Sequence, residues 1–198
     1  QIMIGQLGEI NVAGVGLAGK FASIYSVMIS AIGAVAGIMI AQYLGQQNRS
    51  EVRRSFFTNL LLGAGIAGMF MVICTLFPNQ IMGAYTKDVQ TRQAAAEYLM
   101  LVSGTFVPMA GATLLSTLFR CLEKPRLPLY ASILSALLNT GLNYILIFGK
   151  LGISPMGVRG AAFATVISQC ANFLLMLLML SKNGFLLKSN EGEPTATL

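Results

Sequence analysis

Long apolar runs separated by short polar interruptions set the organisation of the chain. Residues 21–48, 55–86, 98–119, 127–149 and 160–181 contain no charged side chain, giving windows of 28, 32, 22, 23 and 22 residues. A helix needs about 20 residues to cross a hydrocarbon core roughly 30 Å thick. Each window therefore holds one crossing, and none holds two with a turn between them. The pattern predicts five complete membrane-spanning helices, the first beginning near Asn11, because residues 12–19 are all apolar or Gly.

The ends read differently. Residues 1–7 have the character of the last two turns of a further helix, and residues 189–198 are polar and contain Pro194. The expected organisation is one six-helix unit over residues 1–185 with an incomplete first helix, then a polar tail over 186–198. Both ends read as open, so a fragment is expected.

Helix breakers agree with these spans. Pro78 closes the second complete helix, and Pro125 and Pro128 stand at the start of the fourth, where Pro is tolerated. Pro108 falls inside the third and predicts a kink there. Gly149, Gly152, Pro155 and Gly157 predict the turn before the fifth. The predicted fold class is an all-α membrane protein, a polytopic helical bundle.

Composition sharpens this by exclusion. Hydrophobic residues make up 55% of the 198, charged residues 10%, and there is no His. So few charges cannot clothe a soluble enzyme of this size, and the hydrophobicity excludes disorder. Without His, most zinc sites and every His-based triad go too. Cys74, Cys121 and Cys170 form no CxxC and read as small apolar packing residues.

The net charge of +6 is spread between apolar runs rather than gathered on a face, so it does not point to nucleic acid. It reports topology instead. Arg49, Arg53, Arg54, Arg120, Lys124, Arg126, Lys182 and Lys188 fall at one set of helix ends, while Lys87, Arg92, Lys150 and Arg159 fall at the other. Eight against four places the first set, and the tail after the last helix, in the cytoplasm.

Candidate chemistry lies on a few polar positions inside the spans. Gly33, Gly37, Ala41 and Gly45 recur every four residues and predict a close helix crossing. On the fourth complete helix, Ser132, Ser135, Asn139 and Asn143 form one stripe; on the fifth, Thr165, Ser168, Gln169 and Asn172 share a face. Amides left unpaired in hydrocarbon are costly, so the stripes imply either interhelical bonding or a wet cavity. Asn139 and Asn143, one turn apart, could turn two carbonyl oxygens to one point, and the Thr165 hydroxyl would make a third neutral ligand for a hard cation such as Na⁺. None of the seven acidic residues lies deep in a span. Glu97 is read as part of a wet extension of the third helix, with Asp88 capping its start. Lys20 either snorkels to the outer interface or lines an outward-open cleft.

The stretches Ile2-Met-Ile-Gly-Gln-Leu-Gly8, Ala41-Gln-Tyr-Leu-Gly45 and Glu51-Val-Arg-Arg54 resemble the opening third of a MATE (multidrug and toxic compound extrusion) transporter. Lys124-Pro-Arg-Leu-Pro128, the run from Asn139 to Gly149, and Met156-Gly-Val-Arg-Gly-Ala-Ala-Phe-Ala-Thr165 resemble that family's fifth and sixth helices. The motifs are individually weak, but their order and spacing agree over residues 1–185.

The resemblance implies half of a twelve-helix, two-lobe transporter, with the missing C-terminal lobe as its partner. It implies no enzymatic step and no cofactor. Secondary-active efflux would instead exchange Na⁺ or H⁺ for organic cations or drugs across the plasma (inner) membrane by alternating access. The family's first-lobe cation ligands carry over to Asn139, Asn143 and Thr165, while its first-helix Asp would precede Gln1. Asn143 stands where some members have Asp, leaving the site one charge short. The resemblance also shifts the reading of the stripes toward a cavity, with Ser135, Gln169, Asn172 and Lys20 as weaker substrate contacts. The competing readings are a lipid-linked oligosaccharide flippase of the same superfamily, which would need basic residues for pyrophosphate where only Lys20 offers itself, and a non-functional membrane fragment.

Overall fold

The computed structural model describes residues 8–149 and 154–182; the expected helix remnant at 1–7 and the tail at 186–198 lie outside them. Among the described residues, seven α-helices follow in chain order: α1 (Glu9–Gly45), α2 (Arg49–Leu76), α3 (Pro78–Gly83), α4 (Val89–Val102), α5 (Phe106–Cys121), α6 (Arg126–Phe148) and α7 (Gly157–Lys182). A 3₁₀ turn over Ser103–Thr105 joins α4 to α5. Five spans are long and apolar enough to cross a membrane: α1, α2, the α4–α5 pair, α6 and α7. They are the five that the gaps between charges predict, and α1 begins two residues before Asn11.

Local chemistry sets the boundaries. Asn48 caps α2 by accepting from the Glu51 amide at 3.2 Å, and Asp88 caps α4 by accepting from the Thr91 amide at 2.8 Å. Pro78 occupies the first turn of α3 rather than simply ending α2. The connections α1–α2 and α5–α6 share one design. Gln47 and Glu123 are left-handed, with φ of 56° and 57°. The following amides, of Asn48 and Lys124, reach back five residues to Tyr43 and Phe119 at 3.0 and 2.9 Å. Both helices thus close with a Schellman-type C-terminus built without Gly.

The kink expected at Pro108 appears as the 3₁₀ turn just upstream. Pro108 has no amide to give the Gly104 carbonyl, and its ring crowds that carbonyl, so the disturbance falls on the preceding turn. The Phe106 carbonyl accepts a 2.6 Å hydrogen bond from the Tyr25 hydroxyl of α1. Tyr25 also stacks on Phe106 and Phe70, with ring centroids 4.3 and 5.4 Å apart.

The α4–α5 pair is the centre of the bundle: 61% of its most apolar window is buried, against 17–28% for the other four spans. Around it lie two apolar clusters. One gathers Tyr25, Ile29, Leu99 and Phe106; the other gathers Ile40, Phe56, Leu118 and Phe119 toward the opposite end. Gly33 and Gly37 set α1 against Thr113 and Thr117 of α5, whereas Ala41 is exposed and Gly45 has no neighbour close enough to matter. The small-residue stripe is a helix crossing over its first half only. Elsewhere Val27, Leu61 and Leu137 stay outward, as a helix bundle in lipid allows.

Candidate functional site

The two polar stripes face each other. α6 and α7 run antiparallel, brought close at their joined ends because Gly160 lies on the Leu146 carbonyl: a Cβ there would come 2.7 Å from that oxygen. About two to three turns further into the pair, the Ser135 hydroxyl donates to the Ser168 carbonyl at 2.7 Å, and the Ser168 hydroxyl bonds its own helix at Ala164. Between the helices is a cavity of about 330 Å³. α6 lines it with Ser132, Ser135, Ala136 and Asn139, and α7 with Thr165, Ser168, Gln169 and Asn172. Ser132 and Ala136 are exposed at its rim, while Ser135 and Ser168 are buried at its base.

Of the residues singled out from sequence, Asn139, Thr165, Ser135, Gln169 and Asn172 meet in this cavity. Asn143 does not line it. Its amide nitrogen donates to the Asn139 carbonyl oxygen at 2.9 Å, so the two carbonyls do not converge on one point. Lys20 lies apart, exposed on α1, which packs against α2, α4 and α5. Among the described residues no cluster of three or more Cys, Asp or Glu could hold a metal ion.

Hydrogen-bond accounting shows what the cavity offers. Thr165 donates its one hydroxyl hydrogen to the Ala161 carbonyl at 2.9 Å. The Asn172 carbonyl oxygen is buried and has no partner. An orphan of this kind costs about 1–3 kcal/mol until a donor reaches it. The cavity is thus neutral, rich in acceptors, and suited to N–H or O–H groups on a solute.

One feature escaped the sequence. Glu97 forms a bidentate ion pair with Arg159, at 2.7 and 3.2 Å. The charge pattern places both on one side of the membrane but does not pair them.

A family model described as MatE matches residues 1–145. The chain is 29% identical over 168 residues to a protein of Halalkalibacterium halodurans named probable multidrug resistance protein NorM, covering 84% of this chain and 36% of that relative. It therefore spans little more than a third of that relative's length. Among solved structures it superposes on a multidrug resistance MATE family transporter of the MOP superfamily. The outward-facing form gives a TM-score of 0.83 at 19% identity, covering 93% of this chain and 40% of that one. The inward-facing form gives 0.81 at 20%, covering 90% and 40%. By the extent of the family model, and in keeping with the shared helical fold, the chain belongs to the MatE family.

Proposed function

We propose that this chain forms the first lobe of a secondary-active multidrug efflux transporter, with the α6–α7 cavity as the lobe's binding site. The observation that carries the reading is the buried, unpartnered carbonyl oxygen of Asn172 in a polar cavity. An organic cation bearing N–H groups supplies the donor that this oxygen lacks. The relatives' names support the substrate class. The near-equal fit of the lobe to inward-facing and outward-facing forms supports alternating access by rigid movement of lobes.

Na⁺ or H⁺ drives the cycle in this reading. For Na⁺ to sit between Asn139 and Thr165, the Asn139 oxygen uses the lone pair that the Asn143 amide leaves free. The Arg49, Arg53 and Arg54 end faces the cytoplasm of the cell carrying the protein in its plasma membrane. Among the described residues no basic side chain lines the cavity, which disfavours a pyrophosphate-linked cargo.

Ethidium efflux from cells expressing the full reading frame tests the proposal. Replacing Asn139 and Asn143 together with Ala is expected to abolish ion-driven efflux. Unchanged efflux in that variant would remove the site.

A further inference from the structure

α1 and α5 finish, and α2 and α6 begin, at one end of the bundle. Ile40, Val52, Phe56, Leu118 and Phe119 share a buried cluster there, and Tyr43, Leu44 and Leu122 pack against it. The Cys121 thiol donates to the Gly37 carbonyl of α1 at 3.5 Å. The turns at 46–48 and 122–125 therefore leave the bundle together.

Residues 49–54 and 120–126 carry six basic side chains, Arg49, Arg53, Arg54, Arg120, Lys124 and Arg126, against two acidic ones, Glu51 and Glu123. All six basic residues are exposed. Little of this charge is neutralised within the protein. The Glu51 carboxylate lies 3.7 Å from the Arg54 guanidinium, a loose contact with the Arg54 side chain 79% exposed. Among the described residues Arg49, Arg53 and Arg126 form no ion pair. The opposite end is close to balance. There, among the described residues, Lys20, Lys87, Arg92 and Arg159 stand against Glu9, Asp88 and Glu97, and Arg159 is bound to Glu97.

A basic surplus sets the orientation of a membrane protein, but that rule counts charge alone. Two local features go further. Five of the six side chains are Arg, whose planar fork meets phosphate oxygens two at a time. Arg53 and Arg126 also each stand one turn before an outward aromatic, Phe57 and Tyr130, which are 37% and 60% exposed. The Arg53 guanidinium lies 5.9 Å from the centroid of the Phe57 ring. Because α2 and α6 both start at this end, each ring sits about 6 Å deeper than its Arg. Guanidinium outside and ring inside is the order of a bilayer interface, with phosphates above the level where aromatic side chains gather.

We propose that this end of the bundle is a binding surface for anionic phospholipid headgroups, in which Arg53 and Arg126 grip phosphate while Phe57 and Tyr130 seat at the interface below. The surplus charge selects headgroups of net negative charge over zwitterionic ones, whose ammonium groups it repels. The surface is separate from the α6–α7 cavity, so it stands or falls without reference to efflux.

The test measures lipid selection directly. The full reading frame is reconstituted in phosphatidylcholine vesicles carrying a trace of spin-labelled phosphatidylglycerol or phosphatidylcholine, and electron paramagnetic resonance gives the fraction of each probe held at the protein surface. Phosphatidylglycerol is expected to be held about fivefold more tightly, the factor that one basic residue commands beside an anionic headgroup layer. Arg53→Gln with Arg126→Gln is expected to more than halve that ratio. Lys87→Gln with Arg159→Gln removes as many charges from the opposite end and is expected to leave it unchanged.

An unaltered ratio in the first double variant would overturn the proposal. So would an equal loss in the second, which would reduce the effect to net charge. Inorganic phosphate, added at matched ionic strength, is expected not to compete; loss of the ratio there would assign the arginines to a free anion and overturn the lipid surface. If the first variant does not fold, a salt titration of the wild type decides alone. Screening must bring the ratio toward one as salt rises, and a flat ratio overturns the proposal.

Discussion

The ring of Phe173 on α7 occupies the space that any side chain on Gly111 of α5 would need. Gly111→Ala must therefore displace the ring, an overpacking that costs about 1–3 kcal/mol. The displaced group is a side chain, so Phe173→Leu in the same protein should recover much of the loss. Thermal melts of the two single variants and the double variant in detergent check this: a strictly additive result would show that the two sites do not touch.

Gly160 offers the contrast. Its missing Cβ faces the Leu146 backbone, 2.7 Å from the carbonyl oxygen and 3.0 Å from the Leu146 Cβ. No rotamer change relieves that clash, so α6 and α7 must separate at their joined ends. Gly160→Ala is expected to destabilise more than Gly111→Ala, and no change at the Leu146 side chain should rescue it. Melting temperatures of the two alanine variants, measured side by side, rank them directly.

These crossings show which features the sequence carries. Spans are legible because a charge in hydrocarbon is expensive, so gaps between charges map onto crossings. The stripes from Ser132 to Asn139 and from Thr165 to Asn172 are legible because helical spacing alone puts them on one face. The orientation of each amide is not: Asn139 and Asn143 share a face by spacing, yet the 2.9 Å bond between them spends one oxygen on its neighbour. Glu97 and Arg159 are joined by tertiary packing across 62 residues, which no local period encodes. The small-residue stripe over-predicts for the same reason, since spacing invites a crossing at Gly45 and only a partner helix can supply one.

The Ser135–Ser168 contact ties the base of the cavity across two helices. Interhelical hydrogen bonds in membranes average only about 0.6 kcal/mol. Ser135→Ala is accordingly expected to lower stability by about that amount, far less than Gly160→Ala. A loss of several kcal/mol in a denaturation series would show that the hydroxyl also carries a buried network.

Asp88 allows a pH test outside the membrane. Its carboxylate accepts from Thr91 through the side chain and the backbone, and these bonds hold its pKa below the ordinary 3.8. A depressed folded pKa means that the carboxylate's contribution is complete above the unfolded value and fades as pH falls through the folded one. Stability of the wild type should therefore decline with acid below about pH 4. Asp88→Asn keeps an acceptor for the Thr91 amide without a titrating group, so its melting temperature should fall less over the same range. Parallel pH profiles for the two proteins would dismiss the cap as a source of acid sensitivity.

Asn172 sets stability against function. Its buried carbonyl oxygen has no partner, so replacing the amide with an apolar side chain of similar size removes a desolvation cost. Asn172→Leu is expected to leave the lobe as stable as the wild type, or more stable by about 1 kcal/mol, while weakening organic-cation binding by about tenfold. The two readouts, a melt and an ethidium-binding titration, must move in opposite directions or the first must stay still. Were Asn172→Leu to lose stability and keep its affinity, the oxygen would be bonded within the protein and the cavity's main acceptor would lie elsewhere. A fall in affinity at unchanged stability is the signature of a polar group kept for its ligand, because a structural hydrogen bond cannot be removed without cost to the fold.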